Sequence, residues 1–254
     1  MEYRTMNYRV AIITGAGRGL GRAYARAFAE RGDRVVVADI DLDSAGAVRD
    51  DIRQAGGEAM AIHLDVADPD SVDAAVELVE DEFGSPTVLI NNAAKFANLQ
   101  MRPFGEISLD EWNSVLSVNV TGAFLCTRAF APAMIEKRHG KIVNVSSSTV
   151  WIGRPGYLHY VTSKSALIGM TRALASELGP HGVMVNAFTP GATRTEVERS
   201  TMSEQRWAEV ATQTALGRYG TPEDMVGVVL FLASPESDFM TGQVMNIDGG
   251  RSFR

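Results

Sequence analysis

The chain has 254 residues, of which 45% are hydrophobic and 22% charged, a composition typical of one large or two small globular domains. The formal net charge of −7 disfavours a nucleic-acid or an anionic-membrane partner, because both need a basic surface. The only cysteine, Cys126, leaves no internal disulfide, which fits a reducing compartment, and we expect a cytoplasmic protein.

Neither a membrane partner nor a metal site is predicted. The N-terminal residues lack the long apolar core of a signal peptide, and no stretch reaches the roughly eighteen apolar residues of a membrane span. The chain contains four histidines, at His63, His139, His159 and His181. They show no ligand spacing and no cysteine or carboxylate cluster joins them, so we assign no metal.

Short apolar runs alternate with longer helical patterns along the whole chain. The runs lie at 9–14, 34–39, 58–65, 87–92, 140–147, 182–190 and 242–248. The helical stretches lie near 19–31, 43–55, 69–83, 108–137, 157–179 and 222–233. Runs this apolar are typical of strands buried on both faces, and the alternation predicts a doubly wound, mostly seven-stranded parallel sheet with helices on both faces.

We predict one α/β domain over residues 1–254, with two segments that differ from the rest. Residues 1–8 are expected to form an N-terminal extension. Residues 193–217 carry the weakest pattern and follow the sixth strand at the carboxyl edge, where such sheets bind ligands. We expect this segment to be a substrate lid, with a plain pair of surface helices as the alternative.

A glycine-rich turn, "TGAGRGLG" at 14–21, lies between the first strand and the first helix. Glycine allows a tight turn and lets backbone N–H groups approach a pyrophosphate, which would face the positive end of the helix. Gly15, Gly19 and Gly21 therefore predict a dinucleotide site.

The second strand ends at Asp39, about twenty residues beyond these glycines, where a carboxylate can bond the ribose 2′-hydroxyl of an adenosine. A carboxylate repels a 2′-phosphate, so NAD is favoured over NADP. Arg18 favours NADP instead, since a guanidinium could bind a 2′-phosphate. We expect Asp39 to dominate, because a flexible arginine can turn to solvent whereas a buried contact between like charges costs several kcal/mol.

The stretch "YLHYVTSKSAL" at 157–167 places Tyr160 four residues before Lys164, so the two side chains are neighbours on one helix face. A free phenol has a pKa of about 10. An ammonium roughly 4–5 Å away would contribute about 4 kcal/mol at an effective dielectric of about 20, which would lower the phenol pKa by about three. The spacing predicts that Tyr160 acts as a general acid/base near neutral pH.

Together these segments resemble the short-chain dehydrogenase/reductase family, from about residue 9 to residue 250. The motifs occur in the family's order: "TGAGRGLG", "LDV" (64–66), "NNAA" (91–94), "SVNV" (117–120), "VNVSSS" (143–148), Tyr160-x-x-x-Lys164, "NAFTPGATRT" (186–195) and "DGG" (248–250). The resemblance implies a single-domain Rossmann fold, a nicotinamide dinucleotide cofactor and a homotetramer.

The resemblance also implies roles for individual residues. The implied catalytic residues are Asn119, Ser147, Tyr160 and Lys164. The cofactor-binding residues, with the glycines and Asp39 included, are Gly15, Arg18, Gly19, Leu20, Gly21, Asp39, Ile40, Asp65, Val66, Asn92, Ala93, Tyr160, Lys164, Pro190, Gly191, Thr193 and Thr195. Two positions depart from the family pattern, since Ala94 stands where glycine is usual and Thr193 where isoleucine or valine is common.

These features predict an NAD-dependent oxidoreductase that interconverts a hydrophobic or ring-bearing secondary alcohol and its ketone, with Tyr160 as general acid/base. The expected substrate contacts are Ser147, Thr149, Trp151, Tyr157 and Tyr160, and further pocket candidates are Phe96, Phe188 and the 196–216 segment. One alternative is an NADPH-dependent ketoreductase, including one that acts on 3-oxoacyl thioesters. Another is a dinucleotide-sensing protein without turnover, which the presence of the tyrosine, lysine and serine disfavours.

Overall fold

The computed structural model describes residues 9–253, so the extension expected at 1–8 lies outside the described residues. The strands are β1 (Val10–Thr14), β2 (Arg34–Asp39), β3 (Ala59–His63), β4 (Val88–Asn91), β5 (Gly140–Val145), β6 (Val183–Pro190) and β7 (Val244–Ile247). They form one parallel sheet in the order β3-β2-β1-β4-β5-β6-β7. The predicted doubly wound, seven-stranded parallel sheet is confirmed, and each predicted run contains one strand.

The central strands are buried on both faces because their side chains contribute to two separate cores. All residues of β1 are buried. Ile13 belongs to the core on one side of the sheet and Ile12 to the core on the other, since successive side chains of a strand point to opposite faces. This arrangement explains why the strands are continuous apolar runs rather than alternating ones.

Helices pack on both faces of the sheet. They are α1 (Gly19–Glu30), α2 (Leu42–Gln54), α3 (Pro69–Phe83), α4 (Leu109–Leu116), α5 (Gly122–Glu136), α6 (Thr149–Ile152), α7 (Leu158–Leu178), α8 (Glu204–Thr212) and α9 (Pro222–Leu232). The Ser108 hydroxyl accepts a hydrogen bond from Glu111 N at 3.1 Å and so caps the start of α4. Thr221 N donates to Asp224 Oδ2 at 2.8 Å at the start of α9, which is one half of a capping box.

The stretch 108–137, predicted as one helix, is divided in the structure. Ser117–Thr121 form a π-helical turn between α4 and α5. Gly122 follows this turn and lies so close to Val66 that a Cβ atom there would come within 2.6 Å of Val66 Cγ2. Asn119, in the middle of the turn, is only 1% exposed. Interruptions of this kind are frequent at functional sites.

One stretch, Leu109–Glu136, is long and apolar enough by length and composition to cross a membrane. Half of its most apolar window is buried inside the protein, and α5 packs against both α3 and β5. The apolar composition of this stretch is therefore explained by its place against the sheet.

The segment 193–217 leaves the end of β6 and crosses the carboxyl edge of the sheet. It contains α8, in which Trp207 and Val210 are buried. Thr193 pairs with Gly220 through an isolated parallel bridge, so the two ends of the segment are close together. Its movement as a lid stays a prediction.

Candidate active site

A cleft of about 230 Å³ opens at the carboxyl ends of the parallel strands. The strand order reverses between β1 and β4, and open parallel sheets bind ligands at such a reversal. The expected site residues that line the cleft are Gly15, Arg18, Gly19, Leu20, Gly21, Asn92, Ala93, Ser147, Thr149, Tyr160, Pro190, Gly191, Thr193 and Thr195.

The glycine-rich turn at one end of the cleft has no room for side chains. Gly15 and Gly19 have φ angles of +63° and +59°, a left-handed conformation that favours glycine. A Cβ atom at Gly21 would lie 2.1 Å from the carbonyl oxygen of Gly15. The turn therefore requires these glycines, and it brings the N-terminus of α1 to the cleft.

Thr14 and Asn92 tie this turn to the end of β4. Thr14 Oγ1 accepts hydrogen bonds from the backbone N–H groups of Asn92 and Ala93, both at 3.0 Å. Asn92 Nδ2 donates to the carbonyl oxygens of Thr14 and Gly15, at 2.8 and 3.0 Å. Asn92 and Ala93 thus hold the turn against the neighbouring strand and form one wall of the cleft.

A carboxylate from the 193–217 segment lies at the N-terminus of α1. Glu196 Oε1 accepts a hydrogen bond from Gly19 N at 2.8 Å and pairs with Arg22 Nη2 at 3.0 Å. A helix N-terminus attracts anions because its N–H groups lack helical partners and its dipole is positive there. Glu196 therefore lies where a dinucleotide pyrophosphate is predicted to bind, a role for this residue that the sequence analysis missed.

Asp39 and Ile40 lie at the end of β2, outside the residues that line the cleft. Gly17 N donates to Asp39 Oδ2 at 2.8 Å, and Asp41 N donates to Asp39 Oδ1 at 3.1 Å. These bonds fix the Asp39 carboxylate beside the glycine-rich turn. Ile40 is 64% exposed, so its side chain is available to a ligand at the surface.

Asp65 and Val66, at the end of β3, also lie outside the cleft lining. Asp65 Oδ1 accepts a hydrogen bond from Ala67 N at 2.9 Å, so the carboxylate closes its own turn. Val66 is 6% exposed and lies against Gly122. The adenine contact that the family resemblance implies for these two residues stays a prediction.

Tyr160 is 6% exposed and lines the cleft. Burial raises the pKa of its phenol to about 12, while a hydrogen bond with Ser147 and the charges of Arg199 and Arg154 act to lower it. Phe96 stacks on the Tyr160 ring with the two centroids 4.2 Å apart, and this apolar cover contributes to the desolvation. The protein's own groups therefore keep Tyr160 protonated at neutral pH.

Ser147 is the member of a run of three serines that lies beside Tyr160 in the cleft and acts to lower the pKa of its phenol. Thr149 Oγ1 donates to Ser147 Oγ at 2.9 Å and so orients the serine hydroxyl. Ser146 is buried and donates instead to the carbonyl oxygen of Lys164, at 2.8 Å. The expected pair of Ser147 and Tyr160 is thus present in the structure, and Ser146 has a separate structural role.

Lys164 behaves differently from the expectation. It is 2% exposed, its Nζ donates to the carbonyl oxygen of Val145 at 2.8 Å, and Nζ lies 5.9 Å from the Tyr160 ring centroid. Burial lowers the pKa of this ammonium to about 7. In the protein alone the pKa of Tyr160 is raised, opposite to the direction expected from Lys164, and its lowering beside a bound nicotinamide stays a prediction. Helix spacing brings the side chains together, but desolvation removes much of the ammonium charge.

Asn119 lies behind the cleft, where both ends of its amide are bonded. Its Nδ2 donates to Ser163 Oγ at 2.9 Å, and its Oδ1 accepts from Lys95 N at 2.7 Å. Ser163 Oγ in turn donates to the carbonyl oxygen of Tyr160 at 2.7 Å. Asn119 therefore positions the helical turn that carries Tyr160, and its own catalytic role stays a prediction.

Two expected substrate contacts, Trp151 and Tyr157, do not line the cleft. Trp151 Nε1 donates to Thr189 Oγ1 at 3.0 Å, so its ring is fixed against β6. Tyr157 is 1% exposed, and its hydroxyl donates to Thr201 Oγ1 at 2.9 Å. Both are packing residues in this structure because their polar atoms bond to neighbouring segments. Phe188 is likewise fully buried in the core.

Three further arginines line the cleft, namely Arg154, Arg199 and Arg251. Of these, Arg199 lies in the 196–216 segment expected to line the pocket, whereas Arg154 and Arg251 were not expected there. Arg199 lies within the expected lid segment, Arg154 follows α6, and Arg251 follows β7. No sequence pattern connects these positions, because the fold alone brings the three connections to one edge. For Arg154 and Arg251, a place beyond the carboxyl end of a predicted strand is the signal that could have located them.

Other reactive groups contribute little to the candidate site. Within residues 9–253, no group of three or more His, Cys, Asp or Glu side chains is placed to hold a metal ion. Cys126 is buried, and burial raises the pKa of its thiol to about 12. A thiol of this kind is inert as a nucleophile, which agrees with the absence of Cys126 from the expected site residues.

Comparison with known proteins assigns this arrangement to a family. Residues 15–252 match a family profile described as "Enoyl-(Acyl carrier protein) reductase". A 3-oxoacyl-[acyl-carrier-protein] reductase of Synechocystis is 39% identical over 245 residues, which cover 95% of this chain and 96% of that protein. The short-chain reductase protein NovJ of Streptomyces niveus is 40% identical over 248 residues, which cover 95% of this chain and 93% of that protein.

A solved structure agrees with this assignment. The crystal structure of a gluconate 5-dehydrogenase from Burkholderia cenocepacia, in complex with NADP and tartrate, matches with a TM-score of 0.90 at 32% identity. The match covers 96% of this chain and 94% of that one. Profile, relatives and structure all extend over nearly the whole chain, which therefore belongs to the short-chain dehydrogenase/reductase family of oxidoreductases.

Proposed function

We propose that this protein is a dehydrogenase that interconverts a secondary alcohol and its ketone, with NAD as hydride acceptor and Tyr160 as general acid/base. The observation that carries the proposal is that Ser147 and Tyr160 line the same cleft as the glycine-rich turn. Phe96, Val197 and Met202 line the same cleft. These side chains favour a substrate with a hydrophobic or ring-bearing part.

The residues present fit a nicotinamide dinucleotide. The turn around Gly15 and Gly19 brings backbone N–H groups at the N-terminus of α1 to the cleft, where a pyrophosphate would replace the Glu196 carboxylate on Gly19 N. Asp39 would accept a hydrogen bond from the adenosine ribose, and Pro190 and Gly191 are among the residues that line the cleft. When bound, the nicotinamide supplies the hydride acceptor and, in its oxidised form, a positive charge.

The two hydroxyl groups would bind the reacting oxygen of the substrate between them. In oxidation, the tyrosinate form of Tyr160 accepts the hydroxyl proton as the carbon loses its hydride, and in reduction Tyr160 returns a proton to the alkoxide. Ser147 would stabilise the charge that develops on that oxygen. Because burial holds Tyr160 protonated at neutral pH, oxidation requires added positive charge beside the phenol.

A second candidate is an NADPH-dependent ketoreductase, including one that acts on 3-oxoacyl thioesters. It is favoured because the Burkholderia cenocepacia structure contains NADP and because the Synechocystis relative is a 3-oxoacyl-[acyl-carrier-protein] reductase. Arg18 lines the cleft and would bind a 2′-phosphate. Asp39 favours NAD, because Gly17 and Asp41 hold its carboxylate where it would repel that phosphate.

We further propose that the protein is a cytoplasmic homotetramer. Phe124 on α5 and Leu158 on α7 are 46% and 45% exposed. Burying these apolar side chains between subunits would be favourable, which supports assembly through the two helices.

Replacing Tyr160 with phenylalanine removes the acid/base hydroxyl and keeps the ring that stacks on Phe96. We expect kcat to fall by about 10²–10⁴ in both directions, the range typical of a general acid/base. Absorbance of the reduced nicotinamide, followed over a panel of secondary alcohols and ketones, measures this change. Calorimetry with NAD is the control and should show retained binding. Wild-type turnover by Tyr160→Phe would refute the mechanism, and NAD binding without any turnover by the unaltered protein would indicate a dinucleotide sensor.

Replacing Asp39 with asparagine removes a charge and keeps the size of the side chain. We expect the ratio of kcat/KM for NAD over that for NADP to fall at least about tenfold, because the repulsion of a 2′-phosphate is relieved. Arg18→Gln is the matched variant. If the NADPH alternative is right, this variant lowers kcat/KM for NADP and leaves kcat/KM for NAD unchanged. A strong preference of the unaltered protein for NADPH would overturn the NAD assignment.

Replacing Glu196 with glutamine weakens its contacts with Gly19 and Arg22 and removes a negative charge from the pyrophosphate position. We expect the Kd for NAD to fall by about tenfold, within the range of one charge-assisted hydrogen bond. Titration calorimetry measures the change, with the exposed neighbour Glu198 as control in the variant Glu198→Gln. Weaker NAD binding by Glu196→Gln would show that Glu196 supports the dinucleotide rather than competing with it.

A further inference from the structure

The cleft concentrates positive charge in an acidic protein. Four arginines and no Asp or Glu residue line it, although the chain has 31 Asp and Glu residues against 24 Lys and Arg. The Glu196 carboxylate beside it is bonded to Gly19 N and Arg22. Arg18 lies at the glycine-rich turn, where a dinucleotide accounts for its charge. The other three are here called the arginine cluster (Arg154, Arg199 and Arg251). The charges of Arg154 and Arg199 act to lower the pKa of Tyr160, but no group in the reaction steps described above binds to the cluster.

Arg199 is held in place by aromatic rings and by the backbone. Its Cζ lies 5.5 Å from the ring centroid of Phe96 and 5.3 Å from that of Trp207. Its Nη2 donates to the carbonyl oxygen of Thr193 at 2.6 Å. Because Phe96 also stacks on Tyr160, one ring connects the Arg199 guanidinium to the catalytic phenol. Arg199 is therefore a fixed cation on the wall that carries the reacting groups.

The other two members of the cluster bring like charges to the same cleft. The Arg154 Cζ lies 5.2 Å from the Tyr157 ring centroid, and Arg251 Nη2 donates to Gln213 Oε1. Within residues 9–253, no ion pair joins any of the three to a carboxylate. Burial, and the charge of Arg251 among others, lower the pKa of Arg154. Burial and the charge of Arg154 lower that of Arg199.

Other arginines near the cleft form ion pairs with carboxylates. Arg194 pairs with Glu204, Arg206 with Glu209 at 3.0 Å, and Arg218 with Asp224 at 2.6 Å. These pairs lie in or beside the 193–217 segment, so carboxylates are available there. Partly buried cations that repel one another and lack counter-charges are unfavourable until an anion binds between them.

We propose that the arginine cluster binds an anionic substituent of the substrate, so that the protein acts on a hydroxy acid or a similarly anionic alcohol. The inference rests on the proposed function, since it places the anion beside the alcohol that Ser147 and Tyr160 hold. A guanidinium presents paired N–H donors that match the geometry of a carboxylate or phosphate. Phe96, Val197 and Met202 then contact the apolar part of the same molecule.

An anionic substituent has two chemical sources. It is either a carboxylate of the substrate itself or a phosphate of a coenzyme A carrier. Two matched pairs distinguish these sources, namely 3-hydroxybutyrate with its methyl ester, and 3-hydroxybutyryl-coenzyme A with the corresponding N-acetylcysteamine thioester. Within each pair the reacting alcohol is the same, and only one member carries the anionic group in question.

The test compares kcat/KM within each pair, and the dissociation constants of the same compounds by calorimetry on the NAD-saturated protein. We expect the anionic member of one pair to be preferred by at least about tenfold, the range for a charge-assisted contact. Arg199→Met and Arg154→Met should each reduce this preference about tenfold, mainly through KM. Arg26→Met is the control, because it removes one positive charge from a residue that does not line the cleft, and it should keep the preference.

The two experimental readouts separate the inference from the proposed function. Equal kcat/KM and equal dissociation constants within both pairs would overturn the inference. Turnover of these compounds would still support the dehydrogenase assignment. A preference that survives both Arg199→Met and Arg154→Met would also overturn it. Binding of an anionic compound that the two variants lose, without turnover of any compound, would uphold the anion subsite and reject the proposed reaction.

Discussion

The joint burial of Tyr160 and Lys164 is the constraint on which the proposed chemistry depends. Burial raises the pKa of the phenol to about 12 and lowers that of the ammonium to about 7. Near neutral pH the protein alone therefore keeps the phenol uncharged and leaves Lys164 only partly protonated. A charge brought beside such a site shifts the pKa values of both groups strongly, because screening is weak where water is excluded. Positive charge from Arg199, from Arg154 and from an oxidised nicotinamide all acts on the phenol in the same direction.

The fold maintains this constraint through hydrogen bonds that position backbone rather than through direct charge pairs. The π-helical turn at Ser117–Thr121 directs Asn119 toward Ser163, which bonds the carbonyl oxygen of Tyr160. Ser146 bonds the carbonyl oxygen of Lys164 in the same way. The first bonds hold Tyr160 to the π-helical turn, and the last holds Lys164 to the residue that follows β5.

The sheet, the glycine-rich turn and the pair of Ser147 and Tyr160 were predictable because they depend on local periodicity and residue spacing. The electrostatic state of Lys164 was not, since a four-residue spacing implies proximity but says nothing about desolvation. The division of the 108–137 helix was hidden because the apolar pattern continues through the π-helical turn. The arginine cluster comes from three separate connections, and Trp151 and Tyr157 bond to segments distant in sequence. These features depend on tertiary packing, which no single stretch of sequence records.

The ionisation of Tyr160 tests the account most directly. Ultraviolet difference titration of the protein against Tyr160→Phe isolates this phenol among the six tyrosines. Because its pKa is raised in the folded state, its contribution to stability is lost between about pH 10 and about pH 12, so circular dichroism must accompany the titration. The account predicts that Tyr160 in the free protein stays protonated above the ordinary phenol value of about 10, and that NAD shifts its ionisation toward neutral pH. Ionisation near pH 10 in the free protein, or no shift on binding NAD, would contradict it.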